Sequence, residues 1–410
     1  MPYFFFTILF TPGYLDMVLM PGKHILFLPA VCIALALIIV LFLAPDVGLI
    51  PKTSQQPTVD LLYSTAGSMP QLLNTDQIDG FFVWQPYVAM AREGGMGKIL
   101  TYSEDLPPNH YWADQPCCVL VMSNRFIGQY PELAGMFSLL TTAGIQYVND
   151  YPNQSEQYTA GWIFGSGKLL IAGKYLDPFT IEHESFPTLH FVNESTTLKS
   201  YNSSLTQNHT LTGPGFTLPG TSPPLAPARG GTQVSPQGGL PLIRFGYLAT
   251  DHDAPLFVLA ADPDYFHDNY GLALFAVNPN DERPTLFNLV SGNTTVAKVQ
   301  LIPGQSGGGL MTIMGQGAIE VAYVGSTPAN LQIGFGNPAQ VILPLHTGGS
   351  ALVVANTSPC NDWQDFTVLA RVRSSEGEPL VLATVQSSIQ ETMIREALKT
   401  EGFEVRLYGT

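Results

Sequence analysis

A chain of 410 residues with 45% hydrophobic content can bury a large core and has room for two or three domain-sized units, which excludes a disordered protein. Only 12% of its residues are charged, well below the globular average, and 17 basic against 32 acidic residues leave a formal net charge of -15. Nothing basic is clustered to neutralise phosphates, so nucleic acid is excluded as a partner.

Residues 1–23 form a short N-terminus that is expected to be cytoplasmic. The stretch HILFLPAVCIALALIIVLFLAP, 24–45, carries no charge from Ile25 to Pro45 and is long enough to cross a bilayer. Lys23 before it places the N-terminus inside and everything after Asp46 outside. With no small-x-small cleavage site following, a retained anchor is expected rather than a cleaved signal peptide.

A first block spans 59–192. It opens with VDLLYSTAGSMPQLL, in which SMPQLLNTDQ reads as a short amphipathic helix and IDGFFVWQPYVA as a strand that runs into a helix. Cys117 and Cys118 are adjacent, Cys32 lies in the apolar leader and Cys360 is distant. Without a Cys-x-x-Cys or Cys/His ligand spacing, these are expected to be structural thiols or at most one disulfide, and no metal site is expected. His110, His183 and His190 likewise lack ligand spacing.

From 193 to 241 the composition turns to Ser, Thr, Pro and Gly, as in GPGFTLPGTSPPLAPARGG, and this reads as a flexible linker. Six Asn-x-Ser/Thr sequons, at Asn153, Asn193, Asn202, Asn208, Asn293 and Asn356, fit an exported surface protein.

The second block, 242–410, alternates strands and helices. LIRFGYLAT is a strand, 254–271 a helix that stops at Gly271, LALFAV a strand, and 307–317 a short helix. AIEVAYVG and VILPLHTGGSALVVA follow as apolar strands, and PLVLATV, SIQETMIREALKTEG and EVRLYGT complete a β-α-β unit. Apolar runs of this kind predict a parallel sheet covered on both faces, an α/β fold. GLMTIMGQG followed by AIEVAYVGSTPA also echoes SMPQLLNTDQ followed by IDGFFVWQPYVA, one helix-strand device in each of two lobes. The terminal EVRLYGT echoes VDLLYST near the start.

RFGYLATDHDAPLFVLA, GGGLMTIMGQGAIEVAYVGSTPA, LPLHTGGSALVVA, SSIQETMIREALKTEG and GSMPQLLNTDQIDGFFVWQPYVA together resemble the solute-binding proteins of nitrate, sulfonate and taurine ABC importers. That family includes relatives that bind thiamine-pyrimidine precursors. The resemblance covers most of both blocks and implies a type II periplasmic-binding-protein fold, two α/β lobes joined by crossover strands around a ligand cleft. It also implies a small-molecule ligand, an ABC permease and ATPase as partners, and no cofactor. The order differs from the family's: its N-terminal half resembles 242–410 and its C-terminal half 59–192, so the chain reads as circularly permuted, or as cut from a tandem array. In that arrangement the C-terminal EVRLYGT is expected inside a sheet, with residues 59–65 at a margin.

In open α/β sheets ligands sit beyond the carboxyl ends of the strands. Asp251, His252 and Asp253 fall at such a place, where they either meet a ligand or cap the next helix. Gly307, Gly308 and Gly309 begin a helix with bare backbone N–H groups, suited to an oxyanion or to a plain turn. Ser326 and Thr327, and Ser387 and Ser388, offer hydroxyl groups that bind or cap. Trp84 and Gln85 end a strand, where an indole covers a ligand or packs in the core. The leading expectation is a membrane-anchored receptor for a small oxyanion or sulfonate-like solute, not an enzyme. The alternatives are an extracellular sensing module and a precursor-binding protein or enzyme.

Overall fold

The computed structural model describes residues 56–108, 110–192 and 239–409. The apolar run at 24–45, most of the 193–241 segment, and Asn193, Asn202 and Asn208 lie outside the described residues. Among the described residues no helix is long and apolar enough to cross a membrane. Asn153, Asn293 and Asn356 are exposed.

The first block runs β1 (Thr58–Tyr63), α1 (Met69–Asn74), β2 (Gly80–Trp84), α2 (Tyr87–Glu93), β3 (Gly97–Tyr102), β4 (Cys118–Ser123), α3 (Asn124–Gln129), α4 (Pro131–Asp150) and α5 (Pro152–Phe164). A small hairpin, β5 (Leu169–Ile171) and β6 (Lys174–Leu176), then leads to α6 (Pro178–Ser185) and β7 (Leu189–Phe191). The second block begins with β8 (Leu242–Leu248), α7 (Ala254–Ala261), α8 (Pro263–Tyr270), β9 (Leu272–Ala276), β10 (Leu286–Ser291), β11 (Thr294–Gly304), α9 (Gly307–Gly315) and β12 (Val321–Gly325). It ends with α10 (Ser326–Gly334), β13 (Ala339–Gly348), β14 (Ser350–Ala355), α11 (Trp363–Ser375), β15 (Val381–Thr384), α12 (Ile389–Thr400) and β16 (Glu404–Leu407).

These strands form two large sheets. Lobe one holds eight strands in the order β7-β13-β4-β12-β8-β11-β10-β9, and lobe two holds six in the order β16-β1-β15-β2-β14-β3. Each sequence block therefore contributes to both lobes. The chain crosses between the sheets from β3 to β4, through 103–117, and from β13 to β14 at Gly348 and Gly349. Both glycines have positive φ, 73° and 76°, a conformation that costs glycine little and other residues more.

The all-parallel sheet expected from the apolar runs is not what forms. β4 pairs antiparallel with both β12 and β13, and β14 antiparallel with both β2 and β3, so both sheets are mixed. In lobe two the reversed strand is the one that arrives from lobe one: it enters the sheet from the shared side, against the β-α-β strands beside it. A second departure is at Asp262, where the helix expected over 254–271 breaks in two. Pro263 disfavours a helical conformation at the preceding residue, and Asp262 caps α8 by accepting from the Tyr265 N–H at 3.3 Å. Gly271 does end α8, in the left-handed conformation.

Alternation along β2 sets the packing of lobe two. Phe81 and Val83 face a core built on α1 and α2, while Phe82 faces the core shared with α11 and α12. All three are fully buried, each stabilising the fold by about 1.5–3 kcal/mol. In lobe one, Leu310, Met311 and Met314 of α9 pack on one face of the sheet through Ala322 and Val324 of β12, and α4 and α7 cover the other. The two helix-strand echoes thus occupy corresponding places: α1 precedes β2 and α9 precedes β12, each strand central in its own sheet.

The two terminal strands of the described residues reverse their expected places. β1 sits inside the lobe-two sheet, parallel to β15 on one side and to β16 on the other, with Val59 and Leu61 buried. β16 is the edge strand. The chain from β1 through α1 enters β2 and needs β1 held in register, with Asp60 opposite Val381, while β16 pairs on one side only, with β1.

Candidate functional site

The carboxyl ends of β2, β8, β12 and β15 and the starts of α9 and α12 converge on one cleft between the lobes. Its wall includes Trp84, Gly307, Gly308, Ser387 and Ser388, and its floor Cys117, Cys118 and His252. The space between these walls is small, about 30 Å³, room for a water-sized occupant. A wider, open groove of about 710 Å³ runs along the edge strand β3, away from these strand ends.

The sequence-derived candidates divide by position. Trp84, His252, Gly307, Gly308, Ser387 and Ser388 line the cleft. Asp253 lies behind it, and its Oδ2 accepts from the Leu248 N–H at 2.7 Å. Asp251 is fully buried; its Oδ1 accepts from Thr250 at 3.2 Å, and burial pushes its carboxyl up to about 6. Gln85 is buried, its Oε1 accepting from the Ala89 N–H at 3.0 Å. Gly309 gives its N–H to Ser306, Ser326 gives its hydroxyl to the Pro116 carbonyl at 2.6 Å, and Thr327 is half-buried in the first turn of α10.

The two helix starts differ electrostatically. α9 is capped by Ser306 and has no acidic residue in its first turn, so its positive end and the bare backbone of Gly307 and Gly308 face the cleft. α12 is closed by its own acid: Glu391 accepts from the Ser387 N–H at 2.6 Å while Ser388 accepts from the Glu391 N–H at 3.0 Å. A negative charge already occupies that end. Of the two helix starts, only that of α9 presents an uncompensated positive end to the cleft.

The floor holds a cluster that no local spacing announced. Cys117, Cys118, His252 and His346 are all buried, and one ligand atom from each lies within 4.8 Å of the others. Both sulfurs are 3.6 Å from His252 Nδ1, and His252 Nε2 is 2.9 Å from the Gly349 carbonyl. His346 places Nδ1 3.1 Å from the Thr347 carbonyl, and its rings meet those of His252 edge-on at 4.4 Å. From lobe two, the Gln390 amide donates to Cys117 Sγ at 3.6 Å. All three described cysteines are free thiols.

Charge concentrates on one pair. A hydrogen bond from the Cys118 thiol, with the His252 charge beside it, outweighs burial and lowers Cys117 to about 5. Burial opposes the His252 imidazolium, but the Cys117 thiolate outweighs it and raises that ring to about 9. Cys118, whose thiol is held by Cys117, is pushed up, and burial together with the His252 charge keeps His346 neutral. The floor thus sets a Cys117 thiol of lowered pKa against a His252 ring of raised pKa, with Cys118 shifted up and His346 shifted down beside them.

Residues 44–163 and 238–407, more than half of the sequence, match the NMT1-like family. The chain belongs to that family. Its members fall in the nitrate, sulfonate and taurine type of binding-protein group, which makes this NMT1-like protein one of the solute-binding kind. It is also 39% identical over 109 residues to an uncharacterized protein of Methanocaldococcus jannaschii, covering 26% of this chain and 72% of that relative. The two matched family stretches flank the Ser/Thr/Pro/Gly-rich segment, and each supplies strands to both lobes.

Proposed function

We propose that this NMT1-like protein is the extracytoplasmic solute-binding component of an ABC importer. It has a type II periplasmic-binding fold, tethered by residues 24–45, and captures a small oxyanion or sulfonate-like ligand between its lobes for a permease and ATPase. It binds its solute without turning it over. The observation that carries this reading is the convergence of α9, with Gly307 and Gly308 at its uncharged start, and Trp84 of the other lobe on one closable cleft. A net charge of -15 does not oppose it, because the field in the cleft is set locally, by the α9 terminus with no acidic residue in its first turn.

The permuted order belongs to the same proposal. One strand leading out of α12 and into α1 would close the lobe-two sheet; here β16 leaves α12, β1 enters α1, and the two lie side by side. The arrangement is what cutting a single junction, with its strand kept at both ends, would give.

Native mass spectrometry of the full-length protein purified from its own cells tests the binding reading. A single small anion released at one per chain supports it, and calorimetry with that anion should then give a lower affinity for Trp84→Ala. A neutral heterocycle would move the reading to the precursor-binding relatives. Turnover of the released compound would favour a second reading, chemistry on the ligand, for which Cys117 Sγ at 3.6 Å from His252 Nδ1 is the motivating observation. Protease added to intact cells should remove everything after Asp46; a protected ectodomain would reverse the topology.

A further inference from the structure

The cleft floor has a chemistry that an oxyanion does not need. We propose that Cys117, Cys118, His252 and His346 bind one thiophilic divalent ion of the zinc class. Two sulfurs and two imidazoles are the donor set that selects tetrahedral zinc over oxygen-seeking ions such as magnesium or calcium.

Geometry carries the assignment. Bonds of about 2.0–2.3 Å place the donors of a tetrahedral zinc ion roughly 3.3–3.8 Å apart. The sulfur to His252 nitrogen distances are already 3.6 Å, and the full spread of 4.8 Å closes by about one ångström of side-chain movement. Each imidazole is fixed from behind by a backbone carbonyl, Gly349 for His252 and Thr347 for His346, the outer contact that orients a coordinating histidine. His346 Nε2 is buried with no hydrogen-bond partner among the described residues. An unpaired polar atom of this kind is costly inside a protein, and a cation would satisfy it.

The ionic balance also suits a buried site. Two thiolates and two neutral imidazoles around a dication leave it without net charge, and the ligands' protons depart as the ion binds. The donors come from the start of β4, the turn after β8 and the end of β13, next to the Gly348-Gly349 crossover. Occupancy would therefore tie together three strand ends of lobe one directly beneath the cleft.

This site does not depend on the solute reading, and the two fail separately: anion calorimetry on metal-free protein tests one, metal titration the other. Cobalt(II), used as a coloured stand-in for zinc, should be added to the reduced full-length protein. The expected result is a sulfur-to-cobalt charge-transfer band with strong tetrahedral visible bands, saturating at one ion per chain and bleached by zinc. Cys118→Ser and His346→Gln should each weaken the ion by at least about tenfold, the lower end of what even outer contacts contribute. Circular dichroism establishes that the variants are folded. If either is not, the wild-type spectrum decides by itself. A weak octahedral spectrum, no charge-transfer band, or equal affinity in folded variants would overturn the site.

Discussion

Arg406 and Asp60, 346 residues apart in sequence, meet at 3.1 Å across the paired strands β16 and β1. The ion pair marks where the first and last strands of the described residues lie against each other, and it sits on the more exposed side of the pair. Beneath it the burden is unequal. Leu61 and Val59 of β1 are in the core, whereas β16 contributes half-buried Val405 and exposed Leu407.

Stability should follow that inequality. Leu61→Ala is expected to cost about 2–5 kcal/mol, as core truncations do. Removing residues 404–410, which leaves buried Phe403 in place, should cost less than that. Urea denaturation of both variants measures the order; a larger loss from the C-terminal trim would mean that β16 holds the sheet.

Gly308 offers a way to block the cleft without harming the fold. A Cβ there meets nothing within 4 Å, and leucine improves helix propensity over glycine by up to about 1 kcal/mol. Gly308→Leu should fill the small interlobe space, lower solute affinity by at least about tenfold, or 1.4 kcal/mol, and leave the melting temperature no lower than that of the wild type. Undiminished affinity by calorimetry would place the solute elsewhere.

Glu182 should make stability fall as pH rises. It is fully buried, neither carboxylate oxygen has a hydrogen-bond partner among the described residues, and burial followed by the charges of Asp251 and Glu156 pushes it well up. Its folded pKa is above its unfolded one, so the contribution is whole below the unfolded value and is lost as pH climbs towards the folded one. The loss is at most about 1.4 kcal/mol per pH unit. Subtracting the curve of Glu182→Gln from that of the wild type, by denaturation between pH 4 and 8, should isolate this slope; a flat difference refutes it.

Glu320 should be costly to remove. It is buried before β12 and accepts from Arg244 through the backbone N–H at 2.9 Å, Nε at 3.0 Å and Nη2 at 2.5 Å, with Arg125 at 3.3 Å. Glu320→Ala strands a partly buried guanidinium and is expected to lose about 2–4 kcal/mol, read as a shift in the denaturation midpoint. A shift under 1 kcal/mol would mean that water replaces the carboxylate.

Helices were legible where punctuation was strong. Gly271, Ser306 and Ser388 each mark an end or a start that the structure keeps, through a left-handed cap or a hydroxyl acceptor. Strand direction was not legible, because β4 and β14 are buried on both faces and read alike whichever way they run. The β10–β11 hairpin went unread although Thr294–Gly304 alternates in burial over part of its length. For the site, strand ends and glycines pointed to the cleft, but the cysteine and histidine cluster did not announce itself. Its donors come from three separated segments, so spacing rules written for a single loop had nothing to find. The available signal was weaker: a vicinal Cys pair entering an apolar strand, and a lone His in LPLHTGG.

Gly349 has two duties at once. A Cβ on it would fall 2.7 Å from His252 Nε2 and 2.5 Å from Leu189, and its carbonyl is the acceptor that fixes the His252 ring. Any rotation of the backbone at this residue that parted the lobes would shift that acceptor away from the ring. The state of the whole clamp is thereby written into one imidazole, whose ring-nitrogen resonances would change each time the jaws open. A single labelled histidine would serve as a built-in gauge of opening, with no dye attached and no second label across the gap.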